Sequence, residues 1–227
     1  INMSHFAVGV LIDAKNQKTL GDLLAPYQEN NMNDCPKQYL EFFKCEEDYE
    51  EEYKKYKDEY DNLDDFMYQY YGCKKDEKTG TYGYWENPNA KWNWYDVGGR
   101  WEGLILNKDG ERVNFARLKD IDWKTMREEA RKEAEKIWDS EPQSIERYFA
   151  GIKKDDTRDS FIKRESEFTT YAVITPDGEW HSKGEMYQFG ISSETTEESN
   201  DWSSGFYNRF IKDSDQDLIL VIVDCHI

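Results

Sequence analysis

Four of the chain's eight tryptophans fall within residues 85–101, the stretch WENPNAKWNWYDVGGRW. The same window holds Tyr95, the pair Gly98-Gly99 and Arg100. Each residue type brings its own chemistry. Consecutive glycines can turn backbone N–H groups toward an anion. Arginine supplies a planar, permanently charged fork that matches phosphate. Tryptophan and tyrosine faces stack on a nucleobase. Trp92, Trp94, Tyr95, Gly98, Gly99, Arg100 and Trp101 therefore form a candidate pocket for a nucleotide-like ligand. The plainer alternative is a β-hairpin with an aromatic core, its arginine stacked on tryptophan and paired with Asp96 or Glu102. Gly-Gly-Arg is short and nonspecific as a motif.

The histidines form a second constellation. There are three: His5, His181 and His226. His5 opens an apolar run, HFAVGVLI, and His226 nearly closes another, LILVIVDCHI. Two histidines on neighbouring strands can serve as general acid and base, as in two-histidine phosphoesterases. Those enzymes carry His-x-Ser/Thr twice, whereas Phe6-Ala7 follows His5 and a single isoleucine follows His226. The expectation is that antiparallel pairing leaves the two rings at opposite ends, and that parallel pairing or a long register shift brings them together. Asp224 and His226 are two apart and share a strand face, which permits an orienting pair or half a metal site; Cys225 points the other way and cannot cooperate with His226 directly. His5, Asp224 and His226 are the candidate catalytic residues of a hydrolase. A satisfied structural pair at a strand end is the alternative.

Composition narrows the partners. The formal net charge is -18, with 34% charged residues. That surplus repels bare nucleic acid and anionic membranes, so direct nucleic-acid binding is not expected. An acidic chain can instead bind a basic protein, with the carboxylates of residues 46–52 mimicking phosphates. No apolar run approaches the roughly 20 residues that span a bilayer. The opening INMSHFAVGVLI has no basic region and no small-residue cleavage site, so no signal peptide and no membrane association are expected. Cys35, Cys45, Cys73 and Cys225 are widely spaced without a C-x-x-C pair, which reads as ordinary intracellular thiols, no zinc and a cytoplasmic location. Asp213, Asp215 and Asp217 alternate like a calcium loop but lack its glycine and its later glutamate. No metal and no cofactor are expected.

These groups need elements to hold them. The two apolar terminal runs read as strands buried on both faces and adjacent in mid-sheet. Residues 37–71 read as a helix, because Tyr49, Tyr53, Tyr56, Tyr60, Leu63 and Met67 step by fours and threes along one face. That stripe reads as packing surface, and Gly72 as the helix stop. Trp92 and Trp94 alternate with Asn93 as a short strand, and Leu104 to Leu106 turns through Asn107-Lys108-Asp109-Gly110 into Arg112-Val113. Asp122 reads as the N-cap of a helix at 123–139. A short helix is expected near Glu141-Pro142. FTTYAVIT at 168–175 reads as a strand, returning at Trp180-His181. An aromatic segment lies between glycines at 184–190, and residues 194–212 are helix-compatible. The sum is one α+β domain over 1–227, with a mixed or antiparallel sheet, helices between the strands and a helical insertion over 37–72.

The stretch NPNAKWNWY at 87–95, Gly98-Gly99-Arg100-Trp101 and the terminal VDCHI resemble a family of bacteriophage and prophage proteins without an established activity. The likeness extends to His5-Phe6, Leu24-Ala25-Pro26-Tyr27 and Gly184-Glu185-Met186. Asn93 stands where an aspartate is usual, and Tyr187-Gln188 where Gly-Trp is expected. The resemblance implies a phage context, and phage accessory proteins of this size often antagonise host defence, anti-CRISPR proteins among them. Taken with the aromatic window and the acidic balance, that context gives an expectation of a host cytoplasm and one of two partners: a nucleotide-like small molecule, or a basic host defence protein.

Overall fold

The structure is a computed structural model describing residues 4–45, 49–140, 142, 146–147, 150–185 and 193–227. Three expectations fall partly or wholly outside these residues: the acidic patch at 46–52, the short helix near Glu141-Pro142, and the aromatic segment at 184–190. The chain forms two compact units, one of residues 1–24 with 94–227 and one of residues 25–93 interrupting it. The insertion expected at 37–72 falls in the second unit.

In chain order, β1 (His5–Ile12) and α1 (Leu20–Leu24) come first. The interrupting unit contributes β2 (Glu41–Lys44), α2 (Tyr49–Tyr56), α3 (Leu63–Tyr71), β3 (Lys74–Lys75) and β4 (Tyr82–Glu86). The first unit resumes with β5 (Trp94–Val97), β6 (Ile105–Leu106), β7 (Arg112–Val113), β8 (Phe115–Arg117) and α4 (Trp123–Asp139). It ends with α5 (Arg158–Glu165), β9 (Ala172–Ile174), β10 (Trp180–Ser182), α6 (Thr196–Tyr207) and β11 (Ile219–His226). The fold is α+β, with helices between the strands of a mixed sheet.

The main sheet runs β10-β9-β1-β11-β5, and β8 also pairs with β11. The two terminal strands are therefore central neighbours, as their apolar runs require. They pair antiparallel over all eight positions, from His5 opposite His226 to Ile12 opposite Ile219. The far edge of β11 is shared: β5 takes its last four residues and β8 its first three. β9 alone lies parallel to β1. Leu11, Val173, Leu220 and Ile222 of the sheet join Met126 of α4 and Trp202 and Phe206 of α6 in one core. Burying a side chain of this size stabilises by about 1.5–3 kcal/mol. Asp122 caps α4, its carboxylate accepting from the Thr125 amide, and Thr195 caps α6 in a capping box with Glu198.

The interrupting unit corrects one expectation. Residues 37–71 are not one helix. Phe42 and Phe43 lie in β2, paired with β4, and the helical stretch is broken between Tyr56 and Leu63. The break is local chemistry: the Asn62 side chain accepts from the Asp65 amide and starts α3 afresh. The tyrosine stripe survives the break. Tyr49, Tyr53, Tyr56, Tyr60 and Leu63 pack around Phe66, Met67 and Tyr82, so it is packing surface as expected. Gly72 closes α3 in the left-handed conformation.

The cysteines correct another. Cys45 and Cys73 form a disulfide across the small sheet, while Cys35 and Cys225 are free and buried. Their wide sequence spacing concealed the pairing, because β2, β4 and β3 bring the two ends together. Denatured, unreduced protein should present only the thiols of Cys35 and Cys225 to a thiol reagent, with Cys45 and Cys73 added after reduction. Closing a separation of 28 residues stabilises by about 3–4 kcal/mol in the chain-entropy picture, so reductant should lower the stability of this unit by that much. Reactivity of all four thiols without reductant would refute the pairing.

Candidate functional site

The site is built by strand register. Directly opposed residues of an antiparallel pair point to the same face. His5 lies opposite His226 and Ala7 opposite Asp224. On the other edge of β11, Trp94 lies opposite His226 and Asp96 opposite Asp224. One face at one end of the sheet thus gathers His5, Asp224, His226 and Trp94. The expectation for the histidines is overturned here. Antiparallel pairing unites the rings, because it sets the start of one strand against the end of the other. Their ring centroids are 3.4 Å apart.

The three polar residues divide the contacts unequally. The Nδ1 atom of His5 lies 2.8 Å from Oδ1 of Asp224. The small side chain of Ala7, opposite Asp224, leaves the carboxylate room to reach diagonally. The other carboxylate oxygen, Oδ2, accepts from the Arg100 amide at 3.0 Å. Asp224 is 3% exposed and His226 is 1% exposed. Neither ring nitrogen of His226 has a hydrogen-bond partner. Its ring stacks on Trp94 at 3.5 Å, with 24° between the planes. Burial, then the neighbouring His5 and the Arg100 charge, outweigh the pull of Asp224 and hold the His226 imidazole below its ordinary range. It is therefore neutral near pH 7, with a free lone pair.

The backbone amides of Gly98 and Arg100 are engaged within the fold. The Gly98 amide donates to Ile222 O at 2.9 Å, continuing the ladder. Gly98 and Gly99 both have positive φ, at 80° and 49°. A Cβ on Gly99 would lie 2.4 Å from the Asp224 Cβ. The loop does receive an anion, but the anion is the carboxylate of Asp224. Gly-Gly-Arg is thus a bracket for the C-terminal Asp-Cys-His.

The aromatic pocket is dispersed. Trp92 is buried, bridged to Gln28 within the interrupting unit, and offers no stacking face. Tyr95 lies opposite Cys225, on the other sheet face from His226. Trp101 packs partly against the main core. Trp94 is 44% exposed, and Arg100 is exposed. Of the seven pocket residues, Trp94, Gly99, Arg100 and Trp101 keep a place near the cluster. His181 is elsewhere, on β10 against Phe210. A cavity of about 260 Å³ adjoins His5 and is lined also by Trp101, Thr169, Thr170 and Lys183. A larger cavity of about 500 Å³, lined by Trp123, Arg127 and Phe168 among others, touches none of the three cluster residues. Trp94 as a histidine platform, Ala7 and Lys183 escaped the sequence reading. Ala7 was within reach once the terminal strands were aligned antiparallel from their ends, whereas Trp94 meets His226 through the pairing of β5 with β11.

The remaining expectations divide by what is described. In the acidic stretch, Glu51 and Glu52 lie beside Lys54 and Lys55, which offsets their charge. No helix among the described residues is long and apolar enough to cross a membrane. The expectation that no metal is held rests on cysteine spacing and the incomplete calcium loop, although Asp224 with His226 reads as half a metal site; His5, Asp224 and His226 have donor atoms within 4.8 Å of one another, close enough to hold an ion. Compared with family models, curated proteins and solved structures, the chain matches none.

Gly99→Ala should strain the backbone by about 1–2 kcal/mol and overpack Asp224 by about 1–3 kcal/mol. Urea unfolding should therefore show a loss of roughly 2–5 kcal/mol. A variant as stable as the parent would show that the loop does not press on Asp224.

Proposed function

We propose that the protein hydrolyses a nucleotide-like phosphate ester at His5, Asp224 and His226. The observation that carries this reading is His226, a buried imidazole clamped on Trp94 with both nitrogens unpartnered beside a carboxylate and a second imidazole. Leaving a buried polar group unmatched costs about 1–3 kcal/mol. A site that matches it only to a reacting group gives that cost a use. Imidazole and carboxylate lone pairs activate water, directly or through a bound cation. Water oxygen then adds to phosphorus, the bond from phosphorus to the ester oxygen breaks, and a proton goes to the departing oxygen. Arg100 supplies a fork for phosphate, and Trp94 supplies a ring for a base.

The overall acidity favours a small ester over a polymeric nucleic acid. In the phage setting that the motif implies, a nucleotide signal of host defence belongs to this substrate class. That setting places the protein in the bacterial cytoplasm, where a lasting disulfide is unusual. The oxidation state of Cys45 and Cys73 in cells therefore bears on location.

The test is turnover of a series of mononucleotides, dinucleotides and cyclic nucleotides. At least one should be hydrolysed. His226→Ala should lower kcat by about 100- to 10,000-fold. Arg100→Ala should raise KM roughly tenfold, the equivalent of about 1.4 kcal/mol of phosphate binding. No turnover across the series, or turnover that survives His226→Ala, removes the proposal.

A further inference from the structure

We infer that His5, Asp224 and His226 bind one divalent transition-metal ion of the zinc class. Each residue offers one donor atom, and these atoms all lie within 4.8 Å of one another. Two donors on a tetrahedral ion, each at about 2.0–2.2 Å, stand roughly 3.3 Å apart. Side-chain shifts on the order of 1 Å would close the set around an ion.

Proximity alone would be weak, since polar side chains often cluster. Three further observations point to a ligand. His226 is 1% exposed and has no hydrogen-bond partner at either nitrogen, a condition that coordination of one nitrogen relieves. The Arg100 amide holds Oδ2 of Asp224 and leaves Oδ1 on the side of His5. Trp94 stacks flat on the His226 ring and limits its rotation. Ligands oriented in advance by neighbours of this kind are the usual support of a metal centre.

The donor set selects the ion. Two imidazoles and one carboxylate suit zinc, cobalt, nickel or ferrous iron, whereas magnesium and calcium prefer oxygen alone. Three protein ligands leave at least one coordination position for water or substrate, the pattern of catalytic rather than structural sites. The inference rests on the hydrolytic reading for its purpose, since a bound ion would polarise the water that attacks phosphorus. Its existence is measured separately.

The full chain, tag-free and stripped with chelator, is titrated with Co(II) and Zn(II). One equivalent should bind with micromolar or tighter affinity, and Co(II) should give the intense visible bands of a low-coordinate site. Asp224→Asn should weaken binding roughly tenfold or more. His226→Ala should abolish the Co(II) bands, while His181→Ala, on β10, should leave them unchanged. Should His226→Ala fail to fold, imidazole nitrogen resonances of the parent protein decide: those of His5 and His226 should shift on adding Zn(II), and those of His181 should not. Absence of stoichiometric binding, or binding indifferent to His5 and His226, overturns the inference. Metal binding without turnover of any ester keeps the centre and removes the hydrolase. Turnover by metal-free protein together with absence of stoichiometric binding does the reverse.

Discussion

The ladder between β1 and β11 is the constraint on which the rest depends. Eight residues of each strand pair in one register, and both strands are buried almost throughout. A slip by one residue would turn every side chain to the opposite face. Leu11, Leu220 and Ile222 share one face with His5, Asp224 and His226, so the register that seats these apolar residues in the core also sets the polar ones beside each other. The same alignment brings His5 to His226. The polar cluster is thus a consequence of the apolar register, held in place by residues that take no part in it.

The loop after β5 acts within that frame. It passes so close to β11 that a side chain on Gly99 would collide with Asp224, and the Arg100 amide meets the carboxylate there. Position and charge are settled together. A buried polar group needs hydrogen-bond partners to offset its lost hydration, and the Asp224 carboxylate has two, the Arg100 amide and the His5 ring. His226 is treated in the opposite way: packed by an indole, flanked by His5, and given no hydrogen-bond partner. Adjacent polar groups that are satisfied so differently have different tasks. Asp224 is satisfied within the fold by the Arg100 amide and His5, and His226 by stacking alone.

Much of the architecture was legible in local pattern. The apolar runs at 5–12 and 218–227 marked the central strands, Asp122 marked the start of α4, and the tyrosine spacing marked a packed face. The failures were long-range. Residues 37–71 read as a continuous helix because a period near 3.6 persists across Asn62, and only a side-chain cap interrupts it. Cys45 and Cys73 gave no sign of pairing because β4, which joins them, lies beyond both in the chain. Aromatic crowding at 85–101 suggested a single pocket, yet Trp92 belongs to one unit and Trp94 to the other. The histidine geometry needed no coordinates: a correct account of which ends meet in an antiparallel pair places His5 beside His226. The anion for Gly-Gly-Arg lay in the same chain, at Asp224, where a motif read on its own could not find it.

The order of synthesis adds a last consequence of the interruption at residues 25–93. Contacts such as His5 with Asp224 join residues 219 apart, so β1 emerges from the ribosome long before its partner exists. Until then it is an apolar segment with two unpaired edges, open to aggregation. The inserted unit closes over far shorter spans and can fold while translation continues. The contacts of that unit are thus open to form earlier in synthesis than those of β1 with β9 and β11.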